Sequence, residues 1–423
     1  MNFNPNNVKF ALINGSLEQR ELSAKQTEGL SPPKRKEDVK MMERFTASRA
    51  DKETLKALWA ASFHYHQSFI DWYFEKCFVP EETFIFKTEE KRAAACGTLA
   101  PLSLQLNGKT VRAAYLSGMA LLPEYRTEEN QRHQLTETLT AAGEAGYPVS
   151  LLMPSDYKFY ERYGFRTAYF YKEYRLKPEE LPAYRIRGTI VRTKNLSGAA
   201  ERLEGVYREF TAGKNGYALR SPGQWELILE DLEQNFGGQC ILLDNDAGET
   251  VGYLLMIIRD RRLGVYEFAY KNREAYEGLI GFLHAHGQTV EEIVLKAPAD
   301  DLSHLDFCDS RSAVTLSPFA MARINRVSEV LSTHAEEFPE TLCLQVIDRL
   351  IPENNKTFKK GENGIEETSE EATVTTDIGT LSQLYFGLIS VSDAVRMNLI
   401  AGDAESLSSL FSKKENYLNM LLV

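Results

Sequence analysis

Ser117-Gly118-Met119-Ala120-Leu121-Leu122-Pro123-Glu124-Tyr125-Arg126 is the stretch on which the fold turns. An apolar run ends in Pro-Glu-Tyr-Arg, and helical periodicity begins a few residues later. A strand that runs into a helix in this way leaves backbone N–H groups at the helix N-terminus, a natural seat for a pyrophosphate. Upstream, residues 83–87, 93–106 and 111–122 read as strands, and Asn107-Gly108 between the last two is a strong hairpin signal. Downstream, a helix is expected over 131–145, with Leu135, Leu139 and Ala142 on one face and Gly146 closing it as a C′ glycine. Residues 149–153 form a short buried strand, followed by an aromatic-rich segment over 157–174. Ahead of the strands lie two amphipathic pieces, 54–63, with Asp51 available as N-cap, and 68–77, rich in aromatics.

The order strand, strand, strand, helix, strand recurs. Strands are expected over 239–244, 250–259 and 264–270, a helix over 273–286 and a strand over 292–296, preceded by helices over 199–210 and 224–233. The pattern therefore reads as a second copy of the first unit, without residue identity. A third part begins near Phe319. It holds a helix (327–335), a strand (341–348), an acidic stretch (354–371) expected as a loop or hairpin, with 366–371 read as a solvated hairpin edge, a strand (372–377) and three short helices (378–386, 391–398 and 404–410).

The chain has 423 residues, of which 43% are apolar and 26% charged, the balance of a globular protein of several domains. Lys+Arg number 49 against 60 Asp+Glu, a net charge of -11, opposite in sign to a nucleic-acid binder and favourable to cationic partners. No apolar run reaches the roughly 18–20 residues of a membrane span. Residues 1–40 are polar, without an apolar h-region, so no secretory signal is expected and they read as a flexible leader; the biological start at Met41 or Met42 stays open. Cys77, Cys96, Cys240, Cys308 and Cys343 are scattered, with no CxxC pair, and the histidines show no ligand spacing. Neither a disulfide framework nor a metal site is expected, and the location is read as a reducing cytoplasm.

Phe159-Tyr160-Glu161-Arg162-Tyr163-Gly164-Phe165 follows the short buried strand. It resembles the FYxxxGF segment of the GNAT family of acyl-CoA-dependent N-acetyltransferases, as Pro123-Glu124-Tyr125-Arg126 resembles that family's CoA-binding turn. The likeness covers nearly the whole chain and is to the enhanced intracellular survival (Eis) type. Phe69-Ile70-Asp71-Trp72-Tyr73-Phe74, Asn272-Arg273-Glu274-Ala275 and Leu279-Ile280-Gly281-Phe282-Leu283 carry it in the first two domains. Pro318-Phe319-Ala320-Met321-Ala322-Arg323, Pro352-Glu353-Asn354-Asn355 and Asp377-Ile378-Gly379-Thr380-Leu381-Ser382-Gln383-Leu384 carry it in the third. The resemblance implies an α/β (α+β) fold: tandem GNAT-like domains with mixed central sheets and an α+β sterol-carrier-protein-like domain. The expected boundaries are 41–184, 185–312 and 313–423, the second domain lacking a cofactor loop.

The resemblance implies acetyl-CoA as acyl donor and a small cationic amine, a polyamine or an aminoglycoside, as acceptor. It also implies a homo-oligomer, a hexamer; from charge and hydropathy, neither nucleic acid nor membrane is expected as partner. Backbone at Met119, Ala120 and Leu121 would polarise the thioester carbonyl. Arg126, Thr127, Asn130, Gln131, Arg132 and Ser155 would contact the coenzyme. Tyr160 would be the general acid, the C-terminal carboxylate of Val423 the base, and Phe63 and Trp72 pocket aromatics. The family's loop reads Arg/Gln-x-x-Gly-x-Gly/Ala. Here Glu129 stands at the first glycine and Gln131 at the small residue, and Glu128 and Glu129 repel an anion. A second reading therefore stays open, a non-catalytic binding protein on the GNAT scaffold with a degenerate CoA loop.

Overall fold

The computed structural model describes residues 42–193, 198–307 and 313–419. The leader expected over 1–40, the start at Met41 and the terminal Val423 lie outside them. The chain divides into two compact units. One comprises residues up to Leu102, Val111–Ala168 and Ala320–Lys413; the other comprises Ser103–Thr110, Tyr169–Phe319 and the chain from Lys414 on.

The first unit opens with β1 (Glu43–Thr46), α1 (Lys52–Ser62), α2 (Gln67–Lys76), β2 (Thr83–Lys87), β3 (Ala93–Leu106) and β4 (Lys109–Leu121). It continues with α3 (Glu128–Glu144), β5 (Val149–Leu152), α4 (Tyr157–Glu161) and β6 (Arg166–Thr167). Asn107 and Gly108 both have positive φ, 52° and 74°, as the hairpin signal requires. Asp51 does not cap α1. Its carboxylate instead accepts from the Ser48 N–H (2.9 Å) and hydroxyl (2.7 Å), closing the turn that leads in. Helix α3 starts three residues before the expected Gln131, because Thr127 caps it: its hydroxyl accepts from the Asn130 N–H (3.2 Å). Glu128 and Glu129 then occupy the first turn, where the helix dipole favours acids. At the far end Gly146 has φ +75° and the Tyr147 N–H returns to the Ala142 carbonyl (3.0 Å), the glycine C-cap read in the sequence. Leu135 and Leu139 of α3 pack with Phe84, Leu99, Leu116 and Phe165 in the core beneath.

The second unit holds β7 (Phe170–Leu176), β8 (Thr189–Thr193), α5 (Ala199–Phe210), β9 (Tyr217–Ala218) and α6 (Pro222–Gln234). β10 (Gln239–Asp244), β11 (Thr250–Arg259), β12 (Arg262–Tyr270), α7 (Arg273–His284), β13 (Glu292–Pro298) and β14 (Ala313–Pro318) follow. Its sheet runs β14-β7-β13-β12-β11-β10-β8. The repeated strand-strand-strand-helix-strand order is thus real structure. The boundary expected at 184/185 falls inside this unit, since β7 pairs with β13 from Ile293↔Leu176 to Pro298↔Tyr171.

The last part adds β15 (Met321–Ile324), α8 (Val327–Ser332), β16 (Leu344–Ile347), β17 (Thr357–Gly361) and β18 (Gly364–Thr368). It ends with β19 (Val374–Asp377), α9 (Ile378–Tyr385), α10 (Val391–Arg396) and β20 (Ile400–Gly402). The sheet is β18-β17-β16-β19-β20, with β16 and β19 parallel. β15 leaves this sheet and joins the first unit's, antiparallel to β5 from Met321↔Leu152 to Ile324↔Val149. The two compact units change over between Phe319 and Ala320, seven residues into the domain expected over 313–423. The acidic stretch forms the β17–β18 hairpin, where Glu367 meets Lys356 (2.6 Å).

One buried acid gives the second unit a pH signature. Asp231 of α6 is 2% exposed, and its carboxylate accepts from the Asn235 amide (2.8 Å). Burial pushes its pKa up to about 7. An unfolded aspartate releases its proton near ~3.9, so the folded chain holds one more proton between about pH 4 and 7. Its contribution to stability is present below that window and falls as pH rises through it. Asp231→Asn, which keeps the shape and the Asn235 contact, should raise the urea midpoint at pH 8 by on the order of 2 kcal/mol in stability and leave it nearly unchanged at pH 4. Equal effects at both pH values would refute the assignment.

Candidate functional site

β4 pairs in parallel with β5 at Ala113↔Val149, Ala114↔Ser150 and Tyr115↔Leu151. β5 then ends at Leu152, while β4 runs on to Leu121. The segment of β4 that carries Met119, Ala120 and Leu121 has left its parallel neighbour, and the first unit opens a wedge there. Gly118 has φ +58°, and a Cβ at that position would stand 2.5 Å from Cζ2 of Trp59. Only glycine lets the α1 indole lie against a strand bent in this way. From α3, the buried Gln134 amide donates to the carbonyls of Cys96 (2.8 Å) and Ala120 (3.0 Å), tying β3 and β4 to the helix. Met119 lies over Gly97 with its Sδ 2.5 Å from where a Cβ would be. Burial pushes the Cys96 thiol up to about 12, so it is no thiolate nucleophile at neutral pH.

Phenols gather at the wedge. Tyr160 sits on α4, whose first turn is capped by the Asp156 carboxylate accepting from the Phe159 N–H (3.2 Å). Its ring packs edge-on against Phe159 (5.0 Å between centroids) and Phe165 (5.9 Å). Burial, with a smaller push from the Asp156 charge, raises its pKa to about 12. Tyr115, the last β4 residue paired with β5, is raised by burial and then by the nearby phenols of Tyr65, Tyr73 and Tyr160. Burial takes Tyr65 to about 12. Tyr73 is also raised by burial, opposed by the hydroxyls of Ser117 and Thr98. All four stay protonated at neutral pH and can donate.

The turn after β4 is held from within. The Arg126 guanidinium donates to the carbonyls of Leu121 (2.9 Å) and Ser62 (3.4 Å). The Asn130 side chain is buried and donates to the Tyr125 carbonyl (2.9 Å). Thr127 is the N-cap, and the Gln131 N–H already bonds its carbonyl (3.0 Å). These three side chains build the turn; Asn130 is buried, Gln131 half-buried, and Arg126, Thr127 and Arg132 are exposed. Among the described residues, the N–H groups of Glu128 and Glu129 have no backbone partner, which leaves them for an anion. The Glu128 carboxylate meets Arg162 (3.1 Å), which offsets one of the two like charges.

Phe63 and Trp72 belong to one aromatic run. Phe63 contacts Tyr65 (5.1 Å), Tyr65 contacts Phe69 (5.2 Å) and Phe69 contacts Trp72 (6.0 Å). Ser155 is exposed between β5 and α4. Sequence reasoning singled out Tyr160 but missed Tyr65, Tyr115, Gly118 as a bend and Gln134 as a clamp. The spacing of Gln134 and Thr138 beside Leu135 and Leu139, polar residues on a buried face, was the available signal.

The second unit repeats the geometry with a different occupant. β12 pairs with β13 only from Arg262↔Glu292 to Val265↔Leu295. The next residue, Tyr266, is skipped by the β11–β12 ladder, and its carbonyl accepts from the Asn419 amide (2.9 Å). Glu267 accepts from the Tyr417 phenol (2.9 Å) and from Arg220 through both oxygens (2.9 and 3.0 Å). The chain's own tail is thus bound where β12 leaves β13.

Residues 45–168 match an acetyltransferase (GNAT) domain, 216–324 a second such domain and 327–419 a sterol carrier protein domain. An uncharacterized N-acetyltransferase of Streptomyces coelicolor is 22% identical over 337 residues, covering 73% of this chain and 80% of that one. Similar solved structures include a conserved protein of Enterococcus faecalis (22% identity, TM-score 0.78, covering 90% of this chain and 99% of that one). Eis1 of Mycobacterium abscessus is also similar (19%, TM-score 0.70, covering 89% and 99%). The chain is a tandem-GNAT acyltransferase with a C-terminal sterol carrier protein domain. It belongs to the GNAT N-acetyltransferase family, with the architecture of the Eis type. Acetyltransferases of this family take acetyl-CoA as donor. No group of three or more metal-ligating side chains is found among the described residues, and no described helix is long and apolar enough to cross a membrane.

The bend at Gly118 can be tested directly. Gly118→Ala forces a left-handed conformation and a collision with Trp59, and should cost about 2–4 kcal/mol, read as a fall in the urea midpoint. An unchanged midpoint would show that strand and indole can move apart freely.

Proposed function

We propose that the first unit transfers the acetyl group of acetyl-CoA to the amine of a small cationic acceptor of the polyamine or aminoglycoside class. The observation that carries this reading is the Tyr160 phenol, a proton donor at neutral pH, beside Tyr115 at the end of the β4–β5 ladder. A neutral amine attacks the thioester carbonyl carbon, with backbone N–H groups near Met119, Ala120 and Leu121 facing the carbonyl oxygen. The C–N bond forms as the C–S bond breaks, and the departing thiolate takes the Tyr160 proton. The amine's proton leaves to a base, directly or through water. The coenzyme's pyrophosphate would meet the N–H groups of Glu128 and Glu129, with Arg132 nearby. The run of Phe63, Tyr65, Phe69 and Trp72 supports a cationic acceptor, since aromatic faces attract ammonium groups. The net charge of -11 acts in the same direction.

Tyr160→Phe should lower kcat by roughly 10²–10⁴-fold and leave the Kd for acetyl-CoA unchanged. Wild-type turnover in that variant would remove Tyr160 from the chemistry. The loop is tested by calorimetric titration with acetyl-CoA. Glu129 is exposed in the first turn of α3 and competes with an anion for the same helix dipole, so Glu129→Gln should tighten binding roughly three- to tenfold. Absence of acetyl-CoA binding in both forms would favour a binding protein that has lost the coenzyme.

A further inference from the structure

Arg323, on β15, is buried to 0% of its side chain, as is its partner Asp348 to 1%. Its Nη2 meets both oxygens of the Asp348 carboxylate (2.7 Å each), and its Nη1 donates to the Ile324 carbonyl (2.8 Å). The remaining arm, Nε–H, donates to the carbonyl of Tyr163 (2.8 Å). That carbonyl lies three residues beyond Tyr160, in the turn that closes α4. The Tyr160 carbonyl in the same turn accepts from the N–H groups of Tyr163 (3.0 Å) and Phe165 (3.3 Å). Gly164 has φ +83°, and a Cβ there would stand 3.2 Å from Arg323 Nε and 2.5 Å from Ile378 of α9. The segment is thus pressed against β15 and α9 where it turns.

Asp348 is itself fixed. Its Oδ1 accepts from the N–H groups of Leu350 (2.9 Å) and Ile351 (3.1 Å), and its Oδ2 from the Asn354 amide (3.0 Å). Leu350 and Ile351 pack against the same core as Tyr160. Every link in this chain belongs to the first unit. Helix α4 has only five residues, and its Asp156 cap holds one end alone. A helix of that length is marginal without tertiary support, so the direction of Tyr160 depends on what holds the other end.

We propose that Arg323, oriented by Asp348, is a positioning residue for the acyl-transfer reaction: through Tyr163 it fixes the turn that aims Tyr160. On this inference, which rests on Tyr160 being the acid, the last part of the chain is a working part of the acetyltransferase site.

The test uses the full-length protein and three variants. Arg323→Met with Asp348→Leu removes both charges together, a replacement that buried pairs commonly tolerate. Arg323→Lys keeps a cation for Asp348 but withdraws the separate arm to Tyr163, and serves if the double variant does not fold. In either folded variant kcat should fall about 10–100-fold, the usual effect of a displacement near 1 Å, with the Kd for acetyl-CoA within twofold. In a Tyr160→Phe background the same substitutions should cause no further loss of kcat. A folded variant with unchanged kcat overturns the proposal, as does an undiminished loss in the Tyr160→Phe background. If Tyr160→Phe alone leaves kcat unchanged, the acid assignment itself has failed, and that outcome is read separately.

Discussion

The parallel ladder between β4 and β5 lasts three residue pairs and then stops. Several contacts of the first unit hold the strand beyond that point. A parallel pair that separates exposes backbone groups that must be satisfied by something. Gly118 bends the continuing strand, Trp59 fills the concavity of the bend, and Gln134 draws the Ala120 carbonyl toward α3. The same strand then delivers the chain to the capped start of α3, so wedge and helix N-terminus are fixed by one continuous backbone. An acyl thioester needs both at once, donors at its carbonyl and donors at its distant phosphates.

The two GNAT domains show how one scaffold can be spent in two ways. In each, a strand leaves its parallel neighbour beside a backbone irregularity, Gly118 in β4 and Tyr266 in β12. In the first, the phenols of Tyr65, Tyr73 and Tyr160 lie near Tyr115, where the ladder ends. In the second, Asn419 and Tyr417 bond to Tyr266 and Glu267, so the opening holds the chain's own tail. The helix starts diverge as well. Arg273, first residue of α7, is engaged by Glu277 (2.9 Å) and the Tyr184 phenol (2.9 Å). A cation committed in that way is a poor phosphate ligand.

The elements that sequence made legible are those written in local pattern. The hairpin at Asn107-Gly108, the C-cap at Gly146 and the strand-helix repeat of the second unit depend on neighbours along the chain, and the expected ranges match the structure closely. What escaped was non-local. Nothing near Phe170 says that β7 will join β13, and nothing near Met321 says that β15 will leave its own domain for β5. The site divides along the same line. Tyr160 stood in a recognisable segment, whereas Tyr65 and Tyr115 are brought beside it only by the fold. Arg126 and Asn130 looked like coenzyme contacts because their positions fit a loop pattern. In the structure the Asn130 amide is buried on the Tyr125 carbonyl, and Arg126, though exposed, donates to the Leu121 carbonyl, since a turn between a strand end and a helix must satisfy its own carbonyls.

Among the described residues, each unit also contains a deeply buried ion pair, Arg323–Asp348 in the first and Arg220–Glu267 in the second. Such pairs are weak contributors to net stability, because desolvation of both charges cancels most of their attraction. Their geometry points to placement as what they supply. Arg323 reaches back 160 residues to Tyr163, and Arg220 reaches forward 199 residues to the Asn419 carbonyl. Arg220 is further confined between the rings of Tyr207 and Trp225, each 4.4 Å from its guanidinium carbon. Apolar packing would accept a late segment in several neighbouring registers, since one leucine fills much the same space as the next. A buried charge accepts one register only, because any other leaves it unpaired at a cost of about 3–5 kcal/mol. The chain thus uses apolar contacts for most of its adhesion and, at these two points, an ion pair that sets a distant segment to within a single residue.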